Sequence, residues 1–263
     1  LLFPTRSVDE LLGSYRFLKA LAYPRGSLRV VALYSAGQQD VLEGIQPVID
    51  RFNRSGIFSR VALLESDNDE HSLNMVIDLL HEDFFHPNGL FLPITEETDA
   101  EHTQRLMQRA KERHMGMLML LRHPVVQFGR EKNINVWIRD QSPDWEIALN
   151  LSNIDLSLLM AYQIMFDWQG QLRLIMVVDD PDNQADGEQF LERIVDLGRL
   201  PSNTTISVTA GDFFAYVEQA PRADLNIFGI GNTVELDFMR QMVEKTHASC
   251  LFVQDSGSES ALA

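Results

Sequence analysis

The chain has 263 residues, 45% of them hydrophobic, which is enough material for one large α/β domain or two smaller ones. Its 22 basic residues against 38 acidic residues give a net charge of −16, which opposes binding to nucleic acid and to anionic lipid. No apolar run is long enough to cross a bilayer, and the single cysteine excludes an internal disulfide and favours a reducing compartment.

The first 26 residues are predicted to form a connecting segment built around one helix. Ser7 is a suitable N-cap for a helix over residues 7–22, and Glu10 completes a capping box. Apolar residues follow at helical spacing, and Pro24 ends the pattern.

Strands and helices then alternate as far as residue 121. The predicted strands cover residues 28–35, 61–65, 90–94 and 115–121, and the predicted helices cover residues 41–52, 73–84 and 100–113. His123-Pro124 and Gly129 break the pattern. We therefore predict a first α/β subdomain over residues 27–130 and a second over residues 131–263.

The second half repeats the same plan. Its predicted strands cover residues 134–139, 172–178, 206–209, 225–230 and 251–254, and its predicted helices cover residues 154–168, 187–197, 213–219 and 236–245. Strands that alternate with helices are typical of a parallel sheet with right-handed crossovers.

Residues 134–178 give the clearest βαβ pattern: an apolar strand, a polar loop, an amphipathic helix and a second apolar strand. Open α/β sheets bind ligands at the carboxyl ends of their strands. The loop there contains Asp140 and Trp145 but no run of glycines, so it is poorly suited to holding a phosphate.

A second strand end carries Gly229-Ile230-Gly231-Asn232 before a predicted helix. The spacing matches neither G-x-G-x-x-G nor a P-loop, which favours a tight turn. Asp140, Gly229, Gly231 and Asn232 remain the candidates for a weak nucleotide site. We predict no other cofactor.

Two short motifs resemble metal sites without matching them. Asp182 opens a calcium-like loop, but its twelfth position is Arg193, so an acidic loop that leads into a helix is favoured. His81 and His86 are five residues apart rather than four, so we expect them to diverge and predict no zinc site.

No arrangement of residues predicts an enzyme. There is no G-x-S-x-G motif, and Cys250 lies in an apolar strand with no activating base nearby, which indicates a buried structural thiol. Trp137, Trp145 and Trp168 are predicted to pack in a core or an interface rather than to line a pocket.

Two segments parallel each other, one running from Gly89 and the other from Ala223. Each reads as an apolar strand, an acidic helix start, a helix with a basic end and a His, and then an apolar strand. The parallel indicates an internal duplication.

The second half resembles the cytoplasmic C-terminal domain of the prokaryotic cation–chloride cotransporters, within the amino acid–polyamine–cation transporter superfamily. The resemblance lies in the strand from Val136 to Asp140, the helix NIDLSLLMAYQI that starts at Asn153, Trp168, the strand ADLNIFGI and the closing SCLFVQDSGSESALA. It covers the first half loosely.

This resemblance implies an α/β fold of two universal-stress-protein-like (Rossmann-like) units with central parallel sheets, preceded by an N-terminal helix. It further implies a regulatory and dimerisation domain at the cytoplasmic face of the plasma membrane, following a twelve-helix membrane domain that couples chloride to sodium or potassium. The domain would not carry ions. Its partners would be that membrane domain and a second copy of itself. Exposed apolar helix faces are the expected pairing surface, and the sequence does not identify which of them pair.

The competing interpretation is a nucleotide-binding universal-stress-type protein. Many of these bind ATP through G-x2-G-x9-G-[ST], and no glycine follows Gly231 at the required distance. We therefore do not expect nucleotide binding through that motif.

Overall fold

The computed structural model describes residues 1–24, 26–36, 40–82, 86–146 and 153–261, without the side chains of residues 40–43. The chain divides into two compact units. The first comprises Leu1–Pro93 and Glu97–Leu118, and the second comprises Ile94–Glu96 and Met119–Ala263. Among the described residues, no helix combines the length and the apolar character needed to cross a membrane.

The described residues of the first unit form a parallel sheet with four helices. Its strands are β1 (Leu2–Thr5), β2 (Ser27–Tyr34), β3 (Phe58–Glu65), β4 (Gly89–Ile94) and the start of β5 (Gly116–Leu121), since Ile94 and the last three residues of β5 are assigned to the second unit. Its helices are α1 (Val8–Ala22), α2 (Asp40–Arg54), α3 (Asp69–His81) and α4 (Ala100–Glu112). The strand order is β3-β2-β1-β4-β5. The sequence predicted every one of these elements except β1. The last residues of the predicted helix 73–84 lie outside the described residues.

Strand β1 is a four-residue strand with all four residues buried. It pairs in parallel with β2 from Leu2 opposite Arg29 to Thr5 opposite Ala32, and it pairs with β4 through Leu2 and Leu90. A strand this short, with all its residues buried, shows no alternation of apolar and polar residues from which it could be predicted.

Helix α1 begins as predicted at its cap but not at its capping box. The Ser7 hydroxyl accepts a hydrogen bond from the Glu10 amide at 3.1 Å. The Glu10 carboxylate, however, accepts from the Arg6 amide at 3.3 Å rather than from that of Ser7. The reciprocal half of the predicted capping box is therefore wrong, because Glu10 reaches one residue further back.

Ion pairs join α3 and α4 across the surface of the first unit. Glu70 accepts from Arg105 at 2.6 and 2.8 Å, and the His102 ring lies 3.4 Å away. Further along α3, Asp78 accepts hydrogen bonds from Arg109 at 2.6 Å and from Arg113 at 3.0 Å. Beneath this seam both helices contribute to a core cluster that includes Leu73, Ile77, Leu106 and Ala110.

In the second unit, the part of the chain that the structure describes also forms a parallel sheet with four helices. Its strands are β6 (Asn133–Ile138), β7 (Gln171–Val178), β8 (Thr205–Ala210), β9 (Leu225–Gly229) and β10 (Ser249–Gln254), and its helices are α5 (Ile154–Trp168), α6 (Gln184–Leu197), α7 (Phe213–Gln219) and α8 (Leu236–Thr246). The strand order is β10-β9-β6-β7-β8. The α/β fold predicted from the sequence is confirmed.

The loop before α6 takes the structure that its acidic sequence indicated. Asp180 accepts from the Asp182 amide at 3.0 Å and caps a 3₁₀ turn over Pro181–Asn183. Helix α6 follows directly and so starts three residues before the predicted residue 187. The acidic loop leading into a helix is confirmed.

The two similar sequence segments that start at Gly89 and Ala223 each have a residue of left-handed conformation just after their helix. His114 follows α4 with φ 54°, and His247 follows α8 with φ 51°. Each lies two residues before the next strand, at Gly116 and Ser249. A left-handed residue that terminates a helix is uncommon for a non-glycine side chain, so the shared geometry supports the inferred duplication.

Candidate functional site

The second unit has its topological switch point between β6 and β9. From β6 the chain moves to β7 and β8 on one side, and it then returns to β9 and β10 on the other side. The two strands are parallel neighbours, with Trp137 opposite Phe228. Because the crossovers leave in opposite directions from this point, a crevice opens beyond the carboxyl ends of the two strands.

A cleft of about 180 Å³ occupies this crevice. Its polar lining comes from Arg139 just after β6, from Gly229 and Gly231 at the end of β9, and from Thr233 and Glu235 on the way into α8. Its apolar wall is formed by Ile230, Phe238 and Met239.

The floor of the cleft continues into an aromatic core. Phe238 packs edge-on against Phe228 and Phe252 at ring distances of 6.3 and 6.2 Å. Phe228 stacks on Trp137 at 5.5 Å, and the Trp137 indole donates to the Asn226 side chain at 2.9 Å. The apolar wall is therefore held in a fixed position by packing and by one buried hydrogen bond.

Two of the four nucleotide candidates line the cleft, namely Gly229 and Gly231. Asp140 instead accepts from the Ser142 amide at 2.8 Å and from the Asp179 amide at 3.2 Å, so it joins the ends of β6 and β7. The Asn232 side chain accepts from Gln254 at 3.0 Å. These two side chains serve loop structure rather than the cleft.

Arg139 is a cleft residue that is not among the sequence-predicted candidates. It lies two residues beyond Trp137 and so on the same face of β6. Its side chain is exposed, and within the described residues the guanidinium makes no ion pair or hydrogen bond. The strand alternation that predicted residues 134–139 could have identified it.

The start of α5, on the other side of the crevice, is closed by the chain itself. The Asn153 amide donates to the Asp255 carboxylate, and the Asp255 amide donates back to the Asn153 side chain at 2.9 Å. Asn153 also donates to the Ile230 carbonyl at 2.7 Å. The amino end of a helix attracts anions, and here the Asp255 carboxylate already fills that position.

The segment after β10 continues over the same helix. The Ala261 amide donates to Asp155 at 2.7 Å, and the Asp155 side chain is fully buried. Gly229, at the end of β9, lets Asn153 come close to that strand, because a Cβ at position 229 would lie 2.8 Å from the Asn153 Cβ. The carboxyl ends of β9 and β10 are thus bound to the start of α5 by side chains.

Cys250 lies on β10 with no exposed surface. Burial raises the pKa of its thiol to about 12, and a weak hydrogen bond with the Thr246 hydroxyl opposes this only in part. A nucleophilic cysteine needs a lowered pKa, and that of Cys250 is raised. The prediction of a buried structural thiol is confirmed.

The tryptophans pack as predicted. Trp137 and Trp168 are buried, and Trp168 packs against Phe128 at 5.9 Å, while Trp145 packs against Phe190 at the same distance. The indoles therefore contribute to the core of the second unit.

His81 and His86 do not diverge, contrary to the expectation. Their rings lie 6.0 Å apart, because α3 ends at His81 and His86 lies beyond the helix. Residues 83–85 between them lie outside the described residues. Across the described ranges, no three His, Cys, Asp or Glu side chains are placed to hold a metal ion.

Comparison with family models matches both halves of the chain. Residues 3–128 match the first part of the C-terminal domain of prokaryotic cation-chloride cotransporters, and residues 129–262 match the second part. No curated protein sequence matches the chain.

Solved structures give the same relationship. The crystal structure of the cytoplasmic domain of a prokaryotic cation chloride cotransporter shares 30% identity at a TM-score of 0.89, over 99% of this chain and 96% of that one. A universal stress protein from Archaeoglobus fulgidus DSM 4304 shares 13% identity at a TM-score of 0.58, over 98% and 96% of the two chains. A putative universal stress protein from Pseudomonas aeruginosa UCBPP-PA14 shares 9% identity at a TM-score of 0.57, over 95% of this chain and 90% of that one. The last two support the universal-stress-protein-like fold alone.

Proposed function

The chain belongs to the family of C-terminal domains of prokaryotic cation–chloride cotransporters, and from this we propose that it is the cytoplasmic regulatory and dimerisation domain of such a transporter. It supports electroneutral salt transport by the membrane domain without itself carrying ions. Its place is the cytoplasmic face of the plasma membrane, as part of an integral membrane protein. The observation that carries the proposal is the family match over both halves of the chain.

The charge of the chain suits contact with a membrane domain. Cytoplasmic loops of membrane proteins are rich in Lys and Arg. A domain with a net charge of −16 is complementary to such loops and is repelled by anionic lipid headgroups. We therefore propose the protein loops, and not the lipid, as the membrane-side partner.

Residues 1–26 are the proposed connection to that membrane domain. Strand β1 pairs with two neighbours, and α1 buries Leu11, Phe17 and Leu18 in the first unit. A displacement of this segment would pass directly into the sheet, because β1 is hydrogen-bonded to β2 and β4 and α1 is packed on the unit.

Chloride flux tests the regulatory role. The parent transporter, reconstituted in vesicles, is compared with a form that lacks the present chain, at matched protein density. We expect cation-dependent chloride uptake to fall when the domain is removed. Equal uptake by the two forms at matched protein density would contradict the role.

A nucleotide-binding protein of the universal-stress type is the second candidate, with Asp140, Gly229, Gly231 and Asn232 as proposed contacts. The cleft at the switch point favours it, as does the exposed Arg139 guanidinium in its lining. Two observations oppose it. The cleft volume of about 180 Å³ is below the usual range for ligand pockets. The Asp255 carboxylate at the start of α5 would repel a phosphate there. Calorimetric titration with ATP decides: micromolar binding that Arg139→Ala weakens supports it, and millimolar or absent binding removes it.

A further inference from the structure

Helix α5 is apolar on nearly every side. Its buried face includes Leu158, Ala161 and Ile164, which pack on the sheet of the second unit. Its only charged residues are Asp155, which is buried and bonded to the Ala261 amide, and the half-buried Asp167. A helix with this composition is normally covered on both sides.

The outer face of α5 nevertheless carries an exposed stripe of three large apolar side chains. Leu159 is 37% exposed, Tyr162 is 43% exposed and Phe166 is 55% exposed. At about 100° per residue these three positions fall within an arc of roughly 60°, so they form one row along the helix. We call Leu159, Tyr162 and Phe166 the α5 stripe.

The other helices of the second unit differ in charge. Each exposes at least one carboxylate: Glu188 on α6, Glu244 on α8, and Glu218 on α7, which forms an ion pair with Lys245 of α8. Two copies of a chain with a net charge of −16 repel each other wherever such faces meet. The α5 stripe is a face of this unit on which two copies can meet without opposing like charges.

We propose that the α5 stripe is the pairing surface between two copies of this chain. The proposal rests on the dimerisation assigned above under the proposed function and identifies the surface responsible. A basic partner such as a cytoplasmic loop would favour the acidic helix faces, whereas an uncharged row is matched by an identical uncharged row.

The row is self-complementary about a two-fold axis. When two copies of α5 cross antiparallel near Tyr162, Leu159 of one protomer faces Phe166 of the partner subunit, and the reverse contact follows by symmetry. The three side chains offer roughly 250 Å² per copy, whereas a stable interface needs about 800 Å² per partner. The α5 stripe therefore forms the centre of a larger interface, where aromatic residues contribute most of the binding energy.

The test measures self-association of the 263-residue chain by sedimentation velocity over a wide concentration range. The variants are Phe166→Glu and Tyr162→Glu, and the matched control is Leu197→Glu, whose side chain is 46% exposed on α6 of the same unit. Circular dichroism and thermal midpoints establish that each variant is folded. Tyr162→Cys with a short bis-maleimide reports proximity across the axis, since the buried Cys250 thiol does not compete.

The expected result is a wild-type dimer whose dissociation constant rises roughly 30-fold or more in both stripe variants, as for loss of a central aromatic residue. The control keeps the wild-type value, and Tyr162→Cys cross-links. If the wild type pairs and all variants pair equally, the α5 stripe is not the pairing surface and covers another partner, while the proposed dimerisation stands. If the control weakens as much as the stripe variants, the effect is one of charge alone and the proposal is overturned. If the wild type is monomeric throughout, both the pairing surface and the dimerisation are overturned.

Discussion

Asn153 and Asp255 exchange two hydrogen bonds across a sequence separation of 102 residues. Asn153 starts α5 with φ 63°, and Asp255 follows the last strand. Together they fix the end of β10 to the start of α5 and put a carboxylate at the amino end of that helix. This is the position that a phosphate takes in many α/β proteins, and here a side chain of the chain occupies it.

Replacing Asp255 with Ala should destabilise the second unit by about 1–3 kcal/mol, because it removes the carboxylate acceptor of the half-buried Asn153 amide. Urea unfolding followed by Trp fluorescence measures the change. Asp237→Ala is the control, since that carboxylate is exposed and pairs with Arg240 one turn away. The control should change stability by less than about 0.5 kcal/mol. Equal effects in the two variants would contradict the importance of the Asn153–Asp255 contact.

Gly229 and Gly231 should respond differently to Ala. A Cβ at Gly229 meets the Asn153 Cβ at 2.8 Å, so Gly229→Ala should cost about 1–3 kcal/mol through overpacking. A Cβ at Gly231 meets nothing within 4 Å, so Gly231→Ala should be neutral within about 0.5 kcal/mol. Thermal midpoints of the two variants give the comparison, and a tolerant Gly229 would mean that α5 can move away from β9.

Acid should weaken the α3–α4 seam through Glu70. Hydrogen bonds from Arg105 lower the pKa of Glu70 from 4.5 to about 2, with burial opposing and His102 assisting. The stabilisation is fully present above the pKa of 4.5 that Glu70 has in the unfolded chain, and it is lost as the pH falls toward the folded value of about 2. Thermal midpoints of Glu70→Gln should therefore fall less steeply in this window than those of the wild type.

The control for that measurement is Glu101→Gln, since Glu101 is largely exposed and its contact with Arg105 is 3.7 Å long. It should keep the wild-type slope. A wild-type slope in Glu70→Gln as well would show that the contact with Arg105 does not contribute to acid sensitivity.

Cys250 should react with a thiol reagent only when β10 is released. Its thiol has no exposed surface and a pKa raised to about 12, so the native protein holds almost no accessible thiolate at pH 8. The reaction rate should rise with urea in parallel with unfolding. Rapid modification in native buffer would show that β10 opens independently of the rest of the unit.

The sequence predicted the fold most accurately where periodicity was long and uninterrupted. The predicted helix 154–168 is α5, and the predicted strand 172–178 differs from β7 by one residue. Strand β1 was missed because four residues carry no detectable period. Helix α6 was placed three residues late, because its polar first turn resembles the loop before it.

The candidate site was less accessible to sequence reasoning. Gly229 and Gly231 were selected because they follow a strand, and both line the cleft. Asp140 and Asn232 were selected for the same reason, but their side chains bond to the neighbouring loop. The contact of Asn153 with Asp255 could not be predicted, because no local pattern relates residues so far apart in sequence.

Strand β1 has a mechanical consequence. It lies between β2 and β4, with Leu2 to Thr5 in register with four residues of β2. Tension applied along this strand would load its hydrogen bonds in shear, so that they must break together rather than one after another. The start of the chain is thus a stiff anchor, able to carry a pull into the sheet without peeling away.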